Sequence, residues 1–289
     1  MKVTGFTFIR NAVKFDYPVV EAIKSVLPLC DDFVVAVGNS DDDTCKLVES
    51  IDKKVRIINT VWDDSPEMKQ GGRIYAVETD KAFREVPDDS DWAFYIQGDE
   101  VMHEKYLDTV REAMIKWKDK KEVDGLLFNY LHFYGSYDYV AISPRWYRNE
   151  IRVVRNDKSI YSFRDAQGFR KGDDKKLNVK PVDAFIYHYG WVKEPAVMRN
   201  KIDSTAQFYK GDSASVKTAD AGAYDYSKID SLQVFTDTHP AVMADHIKRK
   251  NWSFDHDPSF NRLSARYKAK IFLKKYLGIN TFYANYRII

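Results

Sequence analysis

Two acidic residues, Asp99 and Glu100, follow an apolar run in the sequence Gln97-Gly98-Asp99-Glu100. The run itself, residues 92–96, has the pattern of a strand buried on both faces. A carboxylate at the end of such a strand suits Mg²⁺ or Mn²⁺, which prefer oxygen ligands and commonly join one or two carboxylates to substrate phosphates. The pair could equally cap a helix that begins near Glu104, so the motif alone leaves both interpretations open.

The elements before this motif alternate between strands and helices. We predict strands at residues 3–9, 33–37, 55–59 and 92–96, and helices after Asp16 and Pro18, near residues 45–51 and at residues 73–86. Single helices between strands imply parallel pairing through right-handed crossovers. Ligands of such sheets bind outside the carboxyl ends of the strands. The acidic turns 41–43 and 99–100 both fall at such ends, which predicts a site there.

The second half of the chain is less regular. Further strands are predicted at residues 124–133, 151–155 and 184–188, a polar loop at 213–226, and helices at 195–209, 240–250 and 263–276. No clear linker separates the halves. We therefore expect one main domain over residues 1–235, with a first half of about 1–100 and a second of about 101–235, and a helical extension over 236–289 packed on it.

Composition excludes several classes of protein. With 289 residues, 44% of them hydrophobic, the chain can form a sizeable core, and a net charge of +2 gives no reason to expect nucleic-acid binding. The apolar stretches are too short for a membrane span, and the N-terminal one is too short for a signal peptide. We expect a cytoplasmic protein whose two cysteines, Cys30 and Cys45, are reduced structural thiols.

Three segments together resemble a known family. They are Phe8-Ile9-Arg10-Asn11 at the end of the first strand, the turn Gly38-Asn39-Ser40-Asp41-Asp42-Asp43-Thr44 after the second, and Gln97-Gly98-Asp99-Glu100. Their order and spacing, over about residues 3–190, are similar to the nucleotide-sugar half of glycosyltransferase family 2. That resemblance implies the GT-A fold, an α/β architecture with a mostly parallel, Rossmann-like sheet flanked by helices, an acceptor-side region and C-terminal helices.

The resemblance also implies an activity. Members of the family move a sugar from a nucleotide-diphosphate sugar to a hydroxyl acceptor, usually with inversion and with Mg²⁺ or Mn²⁺. The partners implied are a nucleotide-sugar donor and a carbohydrate or lipid-linked glycan acceptor, in surface polysaccharide or glycan synthesis.

Site residues are carried over by position. The resemblance assigns Asp99 and His188 to the metal and Asp165 to the proton transfer from the acceptor, and it assigns the donor nucleotide to Ile9, Arg10, Asn11, Asn39, Lys69, Arg73, Gln97 and Gly98. Lys69 and Arg73 are included because the segment before the fourth strand should lie over the donor diphosphate. Asp165 is preferred among the acidic residues of its region because it follows an aromatic run and precedes a glycine turn.

Two departures from the family pattern leave alternatives open. Val37 and Gly38 stand where two aspartates are usual, so the nucleobase is unspecified, and Gln97 replaces the first aspartate of the Asp-x-Asp motif. An amide can still hydrogen-bond ribose hydroxyls. A nucleotidyltransferase is the alternative enzyme, although the segment after the first strand lacks the glycines of its phosphate loop. A catalytically degenerate sugar-nucleotide-binding protein is the non-enzymatic alternative.

Three further segments have two interpretations each. The aromatic stretch 130–147 could form a sugar-stacking groove or a core layer. The arginines Arg152, Arg155, Arg164 and Arg170 could contact phosphate or form a solvated face. Basic residues alternate with apolar ones at helical spacing over 262–277, so this helix could lie peripherally on an anionic membrane or pack on the domain.

Overall fold

A computed structural model describes residues 1–63, 65–210, 222–260, 262–277 and 283–289. The first part of the predicted loop 213–226 therefore lies outside the described residues. The helices are α1 Val19–Val26, α2 Thr44–Glu49, α3 Arg73–Arg84, α4 Leu107–Trp117, α5 Pro195–Lys210, α6 Ala244–Lys248 and α7 Ala265–Leu277. The strands are β1 Val3–Ile9, β2 Asp32–Gly38, β3 Val55–Thr60, β4 Trp92–Tyr95, β5 Glu100–Met102, β6 Gly125–Tyr134, β7 Ser136–Ala141, β8 Asn149–Arg155, β9 Ile160–Phe163, β10 Gly168–Lys171, β11 Lys175–Trp191, β12 Leu232–Val234 and β13 Tyr286–Ile288.

These strands form one mixed sheet in the order β3-β2-β1-β4-β8-β6-β11-β10-β9. The first four strands are parallel, as predicted for the first hundred residues. The sheet continues through β8, which is antiparallel to β4 and β6, and β6 then pairs in parallel with β11. The carboxyl ends of β1, β2 and β4 therefore lie side by side at one edge, where the predicted site residues follow them.

Both faces of this sheet are covered, which explains the continuous apolar runs in its strands. In β2, Phe33, Val35 and Val37 belong to the core on one face, whereas Val34 and Ala36 belong to the core on the other. Helices α1 and α4 pack on the first face, and α3 packs on the second. The predicted fold class, an α/β sheet flanked by helices, is confirmed.

Local details differ from the predictions for identifiable reasons. Asp16 does not cap α1; its φ is 47°, and Pro18 stands directly before the first helical residue. The short predicted strand at 184–188 is the end of the 17-residue β11, whose earlier part alternates charged and apolar residues. Such alternation is typical of a strand with one solvent-facing side.

The C-terminal segment packs against the rest of the chain. Strand β13 pairs in parallel with β11, and Met243 and Trp252 pack with Phe133 and Tyr189 of the central sheet. The division into a main domain and an extension at residue 235 stays a prediction. Among the described residues, no helix combines the length and the apolar character that crossing a membrane requires.

Candidate active site

A cavity of about 570 Å³ opens at the carboxyl edge of the parallel strands. Eight of the predicted site residues line it: Ile9, Arg10, Asn11, Gln97, Gly98, Asp99, Asp165 and His188. Helix α5 supplies one wall through Met198, Lys201 and Phe208, and Trp62 and Tyr75 close the outer part. Residues that are up to 200 positions apart in sequence thus share one concave surface, which is the usual form of a small-molecule site.

A buried ion pair fixes the turn that carries Asp99. Glu100 and Arg152 are both fully buried, with the two carboxylate oxygens 2.6 and 2.7 Å from the guanidinium nitrogens. Tyr130 Oη donates to Glu100 Oε1 at 2.8 Å, and the Gln97 backbone N–H donates to Glu100 Oε2 at 3.1 Å. Neither charge therefore faces the cavity, and this pair positions the turn and does not bind a ligand.

The Asp99 carboxylate lies between a lysine and a histidine. Lys201 Nζ is 3.2 Å from Asp99 Oδ2, and His188 Nε2 is 3.7 Å from Asp99 Oδ1. Gly190 permits this approach, since a Cβ there would stand 2.6 Å from Asp99 Oδ2. Burial by itself would raise the pKa of Asp99, but Lys201 and the neighbouring positive charges outweigh it and lower the pKa to about 2.

Hydrogen bonds fix the tautomer of His188. Burial lowers the pKa of both His132 and His188, so both rings are neutral at pH 7. His132 Nε2–H donates to the Tyr147 carbonyl at 2.7 Å, and its Nδ1 therefore accepts from His188 Nδ1–H at 3.3 Å. His188 consequently presents the lone pair of Nε2 toward Asp99. A lone pair beside a carboxylate attracts a cation.

The cation present at this point is the Lys201 ammonium, and the surrounding residues do not fit a divalent metal. The Gln97 side-chain amide donates to Tyr95 Oη and to the Ala166 carbonyl. Both carboxylate oxygens of Glu100 accept hydrogen bonds from Arg152. Within the described ranges, no group of three or more His, Cys, Asp or Glu side chains could hold a metal ion. Among the described residues, Asp99 and His188 are the acidic or histidine side chains that meet at this point, and one Asp99 oxygen already faces an ammonium group.

Asp165 lies at the rim of the same cavity, in the turn between β9 and β10. The residues on either side of it, Arg164 and Ala166, have positive φ angles of 59° and 63°. Tyr209 Oη donates to Asp165 Oδ2 at 3.2 Å, and a Cβ on Gly72 would stand 2.6 Å from the Asp165 Cβ. The turn is thus held by α5 on one side and by the segment before α3 on the other.

The segments after β1 and β2 hold each other in place. The Asn11 backbone N–H donates to Ser40 Oγ at 3.0 Å, and Asn11 Oδ1 accepts from the Asp41 N–H at 3.0 Å. Asn39 does not line the cavity; its Oδ1 accepts from the Trp62 N–H at 3.1 Å and its carbonyl accepts from Arg10 Nε at 3.2 Å. Asn39 therefore positions two residues that do.

Aromatic side chains surround the outer part of the cavity. The Arg10 guanidinium lies 5.2 Å from the centre of the Trp62 ring, and Trp62 packs edge-to-face with Tyr75 at 5.6 Å. The Tyr75 hydroxyl is buried with no hydrogen-bond partner among the described residues. Burial raises the pKa of Tyr75, so the hydroxyl stays protonated and can donate to a ligand.

Two further residues that were predicted to bind the nucleotide-sugar donor, Lys69 and Arg73, also lie away from this cavity. Arg73 is exposed and lines a neighbouring depression that also contains Asp165 and Gln167. Lys69 is half-buried, and within the described part of the chain it lines neither surface. The acidic turn after β2 is also not in the cavity: Asp41 pairs with Lys14 at 2.6 Å and Asp43 with Lys46 at 2.8 Å.

A second cavity, of about 610 Å³, contains a carboxyl group from the second half of the chain. It is lined by Trp146, Tyr147, Glu150 and Tyr283, among others. Burial raises the pKa of Glu150 to about 8, and Glu150 does not line the cavity that contains Asp99. Asp165 is the carboxylate that shares a cavity with Asp99.

Sequence reasoning missed Lys201, Trp62 and Tyr75. Trp62 follows the end of β3, so the strand-end rule that selected Asp99 would have found it. Lys201 lies on the same side of α5 as Met198, Thr205 and Phe208. A single lysine on this apolar side of a predicted helix was the sequence feature that could have indicated a site residue.

No protein-family model matches the chain, and no curated protein matches it. Among solved structures, S. aureus TarS is similar at 14% identity and a TM-score of 0.38, covering 71% of this chain and 39% of that one. Glucosyl-3-phosphoglycerate synthase from Mycobacterium tuberculosis, in complex with Mn²⁺, UDP and phosphoglyceric acid, gives 14% and 0.32, with 45% and 43% covered. The 4-diphosphocytidyl-2C-methyl-D-erythritolsynthase from Anaerococcus prevotii gives 11% and 0.39, with 72% and 95% covered.

The chain spans about two-fifths of the length of the first two of these proteins. Its own sheet carries the fold assignment: four parallel strands in the order β3-β2-β1-β4, joined by helices, with a cavity at their carboxyl edge. The chain has an α/β fold with a parallel, Rossmann-like first half, and the fold class that the resemblance implies is confirmed.

Proposed function

We propose that the protein is a glycosyltransferase that moves a sugar from a nucleotide-diphosphate sugar to a hydroxyl acceptor. The observation that carries this proposal is the composition of the Asp99 cavity. Arg10 and Lys201 bring positive charge to it, Trp62 and Tyr75 bring aromatic faces, and Asp165 brings a carboxylate. A donor of this kind has an anionic diphosphate, a planar base and a reacting sugar, and each part has a complementary group here.

The cationic and aromatic groups suit the nucleotide. Arginine binds phosphate through two parallel hydrogen bonds, and lysine binds it as a point charge. Base stacking on an aromatic ring tolerates different bases. The unpartnered hydroxyl of Tyr75 and the side-chain carbonyl of Gln97 offer a donor and an acceptor for a base or ribose. The nucleobase is not specified by these groups, in agreement with the loss of the two aspartates at positions 37 and 38.

In the proposed reaction, Asp165 acts as the base of an inverting transfer. Its carboxylate accepts the proton of the acceptor hydroxyl while the oxygen bonds to the anomeric carbon. The bond between that carbon and the diphosphate oxygen breaks on the opposite face, and the electron pair leaves with the diphosphate. Arg10 and Lys201 stabilise the charge that develops on this leaving group. We extend the proposal to a carbohydrate or lipid-linked glycan acceptor, which the family resemblance implies.

The predicted Mg²⁺ or Mn²⁺ is not part of this proposal, because the donor set around Asp99 does not fit it. No step above depends on a metal. Membrane docking through α7 stays a prediction; the helix exposes Phe272 and Leu277, each more than half accessible, in a segment that also contains Arg266 and Lys268.

The test is a panel of nucleotide-sugars with detection of released nucleoside diphosphate, with and without candidate acceptors. We expect at least one donor to be turned over with release of the diphosphate and no pyrophosphate. Release of pyrophosphate from a nucleoside triphosphate and a sugar phosphate would instead identify a nucleotidyltransferase. Tight binding of a donor without turnover in any condition would identify the degenerate binding protein.

A further inference from the structure

We infer that Lys201 is the cation of the donor site, so that the protein binds a nucleoside diphosphate without a divalent metal. This inference rests on the proposed function and adds to it the identity of the positive charge beside the phosphates. It follows from three features of the site: the acceptors that hold the ammonium group, the groups that lie around it and its place in the cavity.

Two acceptors hold the ammonium group. Lys201 Nζ lies 2.9 Å from the Gly190 carbonyl and 3.2 Å from Asp99 Oδ2, and it stands 4.8 Å from the centre of the Tyr17 ring. The side chain is 16% exposed, so its position is set by these neighbours and not by solvent. An ammonium group has three N–H donors. The two described acceptors leave one donor for a ligand in the cavity that Lys201 lines.

The neighbours require a positive charge at this position. Asp99 Oδ2 faces Lys201 Nζ at 3.2 Å and Asp99 Oδ1 lies 3.7 Å from His188 Nε2, while His188 Nδ1 is engaged with His132. Two electron-rich groups 3.7 Å apart in a buried site are stable together only beside a cation. The Lys201 ammonium group supplies this positive charge, which a divalent metal would otherwise have to supply.

A dication would meet an unfavourable environment here. It would compete with the Lys201 ammonium group for the Asp99 carboxylate, the one carboxylate that pairs with this ammonium group among the described residues. Lys193, also nearby, is fully buried, donates to the Asp16 carbonyl at 2.6 Å and does not line the cavity. Lys201 is therefore the lysine that disfavours a metal and favours the phosphates of a donor.

The experiment is isothermal titration of the full chain with UDP, GDP, CDP and ADP, each in EDTA and in Mn²⁺. It compares the wild type with Lys201→Gln and with Arg199→Gln. The latter is a matched control on the same helix, because Arg199 donates to the Gly222 carbonyl and does not line the cavity. Thermal melting verifies that each variant is folded.

For the wild type we expect one of the nucleotides to bind equally, within about twofold, in EDTA and in Mn²⁺. Lys201→Gln should bind it about 10- to 100-fold more weakly in EDTA, the range for loss of one hydrogen bond to a charged group. Mn²⁺ should partly restore binding to this variant, because the Asp99 carboxylate becomes accessible. Arg199→Gln should match the wild type.

Binding by the wild type in Mn²⁺ but not in EDTA would overturn the inference and leave the proposed function standing. Binding by Lys201→Gln equal to that of Arg199→Gln would also overturn it. Absence of binding in both conditions for every nucleotide would refute the proposed function, and the inference with it. If Lys201→Gln does not fold, the test is the comparison of nucleotide binding by the wild type in EDTA and in Mn²⁺. The electron paramagnetic resonance signal of Mn²⁺ gives a second measurement, and it should show no tight binding of Mn²⁺ to the wild type.

Discussion

Replacing Lys193 with methionine should change how the stability of the protein depends on pH. Burial, with a contribution from Lys201 and against the attraction of Asp16 and Asp99, lowers the pKa of Lys193 from its ordinary 10.5 to about 7. At 1.36 kcal/mol per pKa unit, keeping the ammonium charged in this site costs on the order of 5 kcal/mol relative to water. Methionine has a similar length and no charge, so Lys193→Met removes this titration.

The sign follows from proton binding. Between pH 7 and 10.5 the unfolded chain keeps the proton on Lys193 and the native protein releases it, so the free energy of unfolding of the wild type rises with pH. Below pH 7 both states are protonated, and the full cost of burying the charge is present. Integrated from pH 7 to 9, this one group adds about 2 kcal/mol to the wild type that Lys193→Met does not gain.

The assay is urea denaturation of both proteins at pH 7, 8 and 9. Loss of the hydrogen bond from Lys193 Nζ to the Asp16 carbonyl will lower the stability of the variant by a constant amount, about 1 to 3 kcal/mol. The informative quantity is therefore the change of the difference with pH, which should favour the wild type increasingly toward pH 9. Parallel curves for the two proteins would show that Lys193 keeps its charge in the fold and would refute the reasoning.

Three further outcomes are expected. Asp165→Asn should lower turnover by about 10²- to 10⁴-fold with donor affinity nearly unchanged, and the exposed control Asp173→Asn should change neither quantity. Turnover by Asp165→Asn at the wild-type rate would show that Asp165 is not the catalytic base. Glu100→Gln should cost about 3 to 5 kcal/mol in denaturant unfolding, because it leaves the buried Arg152 without its counter-charge, and a loss below 1 kcal/mol would contradict this. If α7 docks on a membrane, the wild type should sediment with anionic liposomes and Phe272→Asp should not, whereas equal behaviour of the two would refute docking.

The first half of the fold was predictable because its strands are buried on both faces. Runs such as residues 33–37 allow no polar residue at either side of the sheet, and the helices between them fix parallel pairing. The ends of such strands also locate ligand sites, and this rule found Asp99, whereas Arg10 and Asn11 were assigned by the family resemblance. Lys69 and Arg73 were assigned to the donor by analogy with a loop of the family, and no local sequence pattern specifies the path of that loop. Neither residue lines the Asp99 cavity.

The rest of the site depends on contacts between distant segments. Lys201 reaches Asp99 across 102 positions, and Gln97 reaches Ala166 across 69. No periodicity or spacing encodes such a pair. The short strands β5, β9, β10 and β13 were also missed, because each has only three or four residues and is stabilised by its neighbour in the sheet. Neither His132 nor the tautomer of His188 could be predicted without the positions of both rings.

The glutamine at position 97 has a physical explanation that bears on the degenerate interpretation. Its amide nitrogen donates to the Ala166 carbonyl at 3.1 Å and lies 3.3 Å from Tyr95 Oη. An aspartate here is shorter, and once ionised it has only acceptor atoms, which would face that carbonyl without a proton between them. The amide therefore links the turn that carries Asp99 to the turn that carries Asp165. In a site whose cation is a lysine, no metal ion holds the Asp99 turn against the rest of the site. A side chain at position 97 that links this turn to the Asp165 turn is therefore what such a site requires. Loss of the first aspartate is thus consistent with a working transferase, and it argues against a site that has decayed.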